Sequence, residues 1–198
     1  MTGNFDTTLF TLKNSLLVFA LASEAAAEFE EYERLIVGIG KVNAACELAK
    51  RLSTQKPQLI VNVGSAGSKA FNKGEVVCCT KFIQRDMDVT GLGFKRYETP
   101  FSGISPVLDY GLKMPGLPEA VCGSGDSFEM GHSFADYNVI DMEAYPLAYV
   151  AMREKIPFLC LKYISDGADG AAAEDWSLEV HSAARAFKNL LSSKQLTV

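Results

Sequence analysis

Two acidic residues, Glu143 and Asp166, stand near opposite ends of one stretch, residues 139–169, VIDMEAYPLAYVAMREKIPFLCLKYISDGAD. Behind Asp141-Met142-Glu143, the residues Tyr145, Ala148, Tyr149 and Met152 recur at helical spacing, so a helix should begin near Asp141 to Glu143. Pro146 is tolerable only in its first turn, where the missing N–H has no partner to lose. Pro157 should stop the helix. Phe158 to Ile164 then reads as a buried strand running into the polar turn Ser165-Asp166-Gly167. Ligands of open α/β sheets sit outside the carboxyl ends of strands, and this is where Asp166 falls. It could act as a general acid if a low-dielectric site raised its pKa or held its proton. Spacing alone favours the plainer reading, an Asp that caps a turn. Glu143 has a plain reading too, because a helix N-terminus favours a carboxylate without any further role.

The elements that must position these residues alternate along the chain. Ser15 to Ala22 is a buried-strand candidate, followed by an Ala/Glu-rich helix over 23–29 with Ser23 as N-cap. Leu35 to Ile39 is a second strand and Lys41 to Leu52 a helix. A third strand, Leu59 to Val63, ends in Gly64-Ser65-Ala66-Gly67. That segment is either an ordinary glycine-rich turn or a row of exposed backbone N–H groups suited to a phosphate or to a ribose and water. Glu75 to Ile83 is a fourth strand, Gly91 to Leu117 a region of loops, and Ala120 to Cys122 a short strand. Glu179 to Leu191 closes the chain as an amphipathic helix, and the first few residues read as a loose leader. Strands alternating with helices predict an α/β layer architecture.

Composition narrows the function classes. A chain of 198 residues is most naturally one domain, residues 1–198, with a substantial core. The net charge of −5 and the lack of a basic run argue against a sequence-independent grip on nucleic acid. No apolar run reaches the ~18 residues of a membrane helix, and Leu16 to Leu21 is too short. The five cysteines include no C-x-x-C pair, and His132 and His181 are far from any of them in sequence, so no metal site is expected. Cys78, Cys79 and Cys160 fall in strands as small buried thiols, and the expectation is a reducing, cytoplasmic compartment.

Five motifs in order carry a resemblance: G-I-G-K-V-N-A-A at 38–45, V-G-S-A-G at 63–67, S-G-D-S-F at 124–128, D-M-E-A at 141–144 and S-D-G-A-D at 165–169. Together they resemble the nucleoside phosphorylase/nucleosidase superfamily, and most closely the 5′-methylthioadenosine/S-adenosylhomocysteine nucleosidases. The match runs from about Leu16 to the C-terminal helix. It implies a three-layer αβα sandwich around a mixed, twisted sheet. Members usually carry a β-hairpin between the first helix and the G-I-G-K segment, where this chain has only Glu30 to Arg34. The stretch from Phe94 to Val121 is also shorter and lacks a helix, which makes this a compact version.

The resemblance also implies roles. Asp166 would protonate the departing purine at N7. Glu143 would accept hydrogen bonds from ribose hydroxyls and favour an oxocarbenium-like transition state, with Met142 against the sugar. Glu24, which by composition alone reads as part of a solvated face, matches the Glu that activates the nucleophilic water; Glu28 is the competing choice one turn away. Ser65, Ala66 and Gly67 fall on the ribose and water segment, beside Ser165 on the Asp166 segment. Phe128, otherwise a core aromatic, would stack on the purine while the backbone of Glu129 reads its edge, although Glu129 stands where the family has an apolar residue. Ile39, Val89, Leu92, Phe94 and Trp176 match positions lining the 5′-alkylthio pocket. Asp86 and Asp88, in R-D-M-D-V-T, have no further carboxylates to complete a metal site.

Asn62 stands where related phosphorylases commonly carry an Arg for inorganic phosphate, and an amide cannot replace that charged fork. The expectation is therefore a cofactor-independent hydrolase of a purine nucleoside, acting as a homodimer that completes its 5′ pocket across a two-fold interface. A phosphorolytic enzyme, or a non-catalytic nucleoside-binding protein on the same fold, are the alternatives.

Overall fold

The computed structural model describes residues 10–129, 136–168 and 182–191. Trp176, both histidines and the expected first residues of the closing helix, 179–181, lie outside them. The elements run β1 Ser15–Phe19, α1 Ala22–Ala25, β2 Arg34–Ile36, α2 Lys41–Leu52, β3 Leu59–Gly67, β4 Val76–Gln84, β5 Val107–Asp109, β6 Glu119–Ser124, β7 Val139–Asp141, α3 Ala144–Glu154 and β8 Phe158–Asp166. Residues 182–191 form a further helix, α4.

The sheet is mixed and closes on itself. β1 lies between β2 and β3, all parallel. β3 is parallel to β8, which is antiparallel to β4. β4 is parallel to β6 and β6 to β7. β7 returns to β3 at the single pair Gly67↔Ile140. The closure brings the carboxyl ends of β3, β7 and β8 to one place. Alternation along β1 sorts the two faces: Leu16 and Val18 pack with α2 and α3, Leu17 and Phe19 with Phe29 and α4. Helices therefore cover both faces, and the expected αβα layering holds.

Several boundaries differ from expectation for physical reasons. Gly64–Gly67 and Ser165–Asp166 are strand, because β3 and β8 keep pairing to Gly67↔Asp166 across an irregularity between Ala66 and Gly67. The helix expected over 23–29 is a single turn in which Ser23 caps nothing. The carboxylate of Glu24 accepts from the N–H groups of Ala20 and Leu21, and Ala26 leaves the helix at φ 46°. Phe29 is fully buried with its ring 5.5 Å from Phe19. That burial outweighs the small helix preference of an Ala/Glu run. β2 sits one residue earlier than expected and stops at Ile36, though Val37 and Gly38 still donate to Phe19 and Ala20 carbonyls. β7 is too short to show a sequence period. The region 91–117 is irregular apart from the end of a 3₁₀ turn, Thr90–Leu92, and β5.

The start of α3 shows why its sequence has this order. Ala144 N–H donates to Asp141 Oδ2 at 2.8 Å, Tyr145 N–H to Ser124 Oγ at 2.8 Å, and Leu147 N–H to the Glu143 carbonyl at 3.2 Å. Pro146, between them, has no N–H to satisfy. The helix ends at Lys155, in left-handed conformation, two residues before Pro157.

Lys162 interrupts the apolar run of β8, yet it is fully buried, with Nζ 2.8 Å from Asp141 Oδ2. Burial opposes both charges. The pair nevertheless holds Asp141 below the ordinary carboxylate range and Lys162 above the ordinary ammonium range. Lys162→Met should cost about 3–5 kcal/mol by leaving a buried carboxylate unpaired. Adding Asp141→Asn should recover part of that loss, which equilibrium urea denaturation of the two variants will measure.

Candidate active site

A cavity of about 220 Å³ opens at the end of the sheet. Glu24, Ser65, Ala66, Gly67, Ser165 and Asp166 line it, and so do Ile39, Phe128, Glu129, Met142 and Glu143. The first group comes from α1 and the last residues of β3 and β8. Met142 and Glu143 lie between β7 and α3, and Phe128 and Glu129 follow β6.

Glu24 is 5% exposed, not part of a solvated face, and its carboxylate is gripped by four donors. Oε2 accepts from Ala20 and Leu21 N–H, each at 3.1 Å. Oε1 accepts from Ser65 N–H at 3.0 Å and Ser65 Oγ at 2.9 Å. Only the hydroxyl can turn away without moving backbone. Glu28 is half-exposed and does not line the cavity. Asp166 accepts from Ser165 Oγ at 2.8 Å and from Ala168 N–H at 2.9 Å. Gly67 makes room for it, since a Cβ there would stand 2.6 Å from Asp166 Oδ1.

Glu143 is held differently. Its hydrogen bond among the described residues comes from Gly40 N–H, 2.8 Å from Oε1. Burial pushes its pKa up to about 7; Asp141 and Glu24 add to the rise, while Lys162 and the Gly40 N–H oppose it. Phe128 is half-exposed, with ring surface free to stack. Glu129 turns its carboxylate 3.0 Å from Arg85. The cavity thus combines two carboxyl groups set in place by donors, a third with capacity to accept hydroxyls, and an aromatic face.

Some expected residues are not brought here. Val89, Leu92 and Phe94 are absent from the lining; they lie on the segment after β4, where Leu92 is exposed and Phe94 meets Phe101 edge-on at 5.4 Å. Trp176 lies outside the described residues. Asp88 accepts from Thr90 N–H and Oγ1, and Asp86 from Lys41 Nζ. Among the described residues no group of His, Cys, Asp and Glu could hold a metal ion. Asp141 also lines the cavity, where the sequence offered it only as a helix start. Lys162 and Arg85 were missed as supports of the site. A charge inside an apolar strand was the available signal for Lys162.

Comparison with known proteins places the chain in a family. The Phosphorylase superfamily profile matches residues 31–115 and 119–193. A 5′-methylthioadenosine/S-adenosylhomocysteine nucleosidase of an Exiguobacterium species is 32% identical over 159 residues, covering 68% of this chain and 67% of that protein. The enzyme of that name from Bacillus subtilis is 31% identical over 183 residues, covering 78% and 79%. In fold, the chain is similar to the Helicobacter pylori nucleosidase, with a TM-score of 0.81 at 19% identity over 93% of this chain and 98% of that one. It is also similar to the futalosine hydrolase of that organism, with a TM-score of 0.82 at 18% identity over 92% and 97%.

The raised pKa of Glu143 makes stability depend on pH. Folding favours its protonated form, so this contribution is fully present below the unfolded value near 4.5 and is lost as pH rises through about 7. The stability of the wild-type protein minus that of Glu143→Gln should fall by on the order of 2–3 kcal/mol across that window and be flat above it. Urea denaturation of both proteins from pH 4 to 8.5 checks the sign and the window.

Proposed function

The chain belongs to the Phosphorylase superfamily and, within it, to the 5′-methylthioadenosine/S-adenosylhomocysteine nucleosidases, and on that premise we propose that it hydrolyses the N-ribosidic bond of a purine nucleoside, 5′-methylthioadenosine or S-adenosylhomocysteine, releasing adenine. The observation that carries this reading is the convergence of Glu24, Glu143 and Asp166 on one cavity with Phe128.

The chemistry follows from the donors and acceptors. Asp166 gives its proton to adenine N7 as the C1′–N9 bond breaks and electrons move onto the base. Ser165 and the Ala168 N–H orient its carboxyl group. Glu143 accepts hydrogen bonds from the ribose hydroxyls, and its negative charge favours the positive charge developing on the sugar. Rotation of Ser65 Oγ frees Oε1 of Glu24 for the attacking water, whose proton Glu24 accepts as oxygen bonds to C1′. Balanced in this way, hydrolysis needs no cofactor.

Water rather than phosphate is favoured as nucleophile by Asn62. Its buried amide is spent between strands, donating to the Val18 carbonyl at 3.1 Å and accepting from Cys160 Sγ at 3.4 Å. The protein acts as a homodimer in this reading. Leu92 is 75% and Phe101 96% exposed beside Phe94, an apolar surface that a second copy covers while completing the 5′ end of the pocket. All five cysteines are free thiols, which fits a cytoplasmic setting. Among the described residues no helix is long and apolar enough to cross a membrane.

Adenine release from methylthioadenosine should proceed unchanged without phosphate; formation of a ribose-1-phosphate product would replace this reading with phosphorolysis. Asp166→Asn and Glu24→Gln should each lose about 10²–10⁴ in kcat, whereas Glu143→Gln should raise KM as well as lower kcat. Light scattering at micromolar concentration should give the mass of two chains, and a fully active monomer would exclude the dimer.

A further inference from the structure

Arg85 follows the last residue of β4 directly, and its side chain is 4% exposed. Both terminal nitrogens of its guanidinium are committed to one short segment, residues 125–129. One donates to Ser127 Oγ and Glu129 Oε2, each at 3.0 Å. The other donates to the Gly125 carbonyl at 3.3 Å and, in a shorter contact, to the Ser127 carbonyl. Its backbone N–H also holds the Ser124 carbonyl at 2.9 Å. A Cβ on Gly125 would stand 2.9 Å from Arg85 Cζ and 3.0 Å from Cγ, so glycine lets the side chain pack directly beneath the loop. The next residue grips the loop again, with Asp86 Oδ2 accepting from Asp126 N–H at 2.9 Å.

We propose that Arg85 is the positioning residue of the base-binding segment 125–129, fixing Phe128 and Glu129 against the purine through the Gly125 and Ser127 carbonyls and through the Glu129 carboxylate. The inference rests on the nucleosidase reading, in which this segment meets the base. Two physical points support it. A planar fork with five donors can hold divergent acceptors in one plane, and an ammonium cannot reproduce that geometry. Glu129 lines the cavity, and Arg85 supplies the cation that offsets the charge of its carboxylate. Arg85 therefore sets affinity for the base half of the substrate and leaves the ribose half, held by Glu143 and Met142, to other supports.

The test separates the two halves. Affinities of wild type, Arg85→Met and Arg85→Lys for free adenine and for 5-methylthioribose are measured by calorimetry, beside KM and kcat for methylthioadenosine and the thermal midpoint. Adenine affinity should fall roughly ten- to a hundredfold in Arg85→Met, as expected when two carbonyls, a hydroxyl and a carboxylate lose their donor. Arg85→Lys should rescue it only partly, KM should rise more than kcat falls, and methylthioribose affinity should stay within about twofold. A merely structural role would instead lower the thermal midpoint and the active fraction, leaving KM and both affinities of the folded protein unchanged, and would overturn the proposal. So would equal losses for adenine and methylthioribose. If Arg85→Met does not fold, Arg85→Lys decides by the same comparison. A wild-type protein that released no adenine would instead defeat the nucleosidase reading, and this proposal with it.

Discussion

The ion pair between Lys162 and Asp141 is the contact on which the site's geometry depends. Asp141 receives the Lys162 ammonium, the Ala144 N–H, the Ser124 hydroxyl and the Cys122 thiol. One carboxylate thereby ties β8, β6 and the start of α3 to β7. Buried pairs of this kind contribute little net stability against a hydrophobic replacement. Their consequence here is positional: the three-residue strand β7 is too short to set its own place, and the pair fixes where Met142 and Glu143 emerge. It also sets the field around Glu143, because Asp141 pushes the neighbouring carboxyl toward its protonated form while Lys162 pulls the other way.

Glu24, Asp166 and Glu143 are treated unequally by the backbone. Glu24 sits among four donors, and Asp166 is held by a hydroxyl and a local N–H. These two come from places where the chain leaves β1 or ends β8, so backbone N–H groups point at them as a result of the strand ends. Glu143 stands one residue before α3, but Asp141 and Ser124 already satisfy the first two N–H groups of that helix. It is left to reach across to Gly40, on a different element. The helix dipole reading of Glu143, reasonable from sequence, therefore gives way to a contact that no local pattern encodes.

The legible parts of the sequence were those where local pattern and tertiary demand agree. The helix expected over Lys41 to Leu52 is α2 to the residue, and the two faces of β1 follow from strict alternation. The failures have a common cause in residues whose type signals one structure while a partner imposes another. Gly64-Ser65-Ala66-Gly67 and Ser165-Asp166 look like turns, but each strand end supplies the other's hydrogen bonds. Glu24 looks solvated in its Ala/Glu run until Phe29 turns the chain inward after a single helical turn. The cavity residues were found through motif resemblance rather than spacing. Resemblance also named Val89, Leu92 and Phe94, which do not line this cavity and lie instead on the segment after β4, where Leu92 is exposed. Arg85 escaped both approaches, since an arginine after a strand carries no signal of the loop it holds.

In the nucleosidase reading, Glu143 is the group through which the cavity receives the sugar. Among the described residues Glu143 has one backbone donor, and its burial, with the Asp141 charge beside it, gives it a preference for the neutral form. Vicinal hydroxyls arriving from a ribose bring the missing donors, so binding and ionisation of Glu143 reinforce each other by linkage. Glu24 and Asp166 show no such shortage of donors, and a ligand gains less by adding another hydrogen bond to either. In the nucleosidase reading the sugar is therefore gripped most strongly where the protein leaves a carboxylate least satisfied. Glu24 and Asp166, the proton-exchanging groups of that reading, keep their orientations through contacts of their own. In that reading, the burial that makes an ionised Glu143 costly is the same feature that gives the ribose its hold.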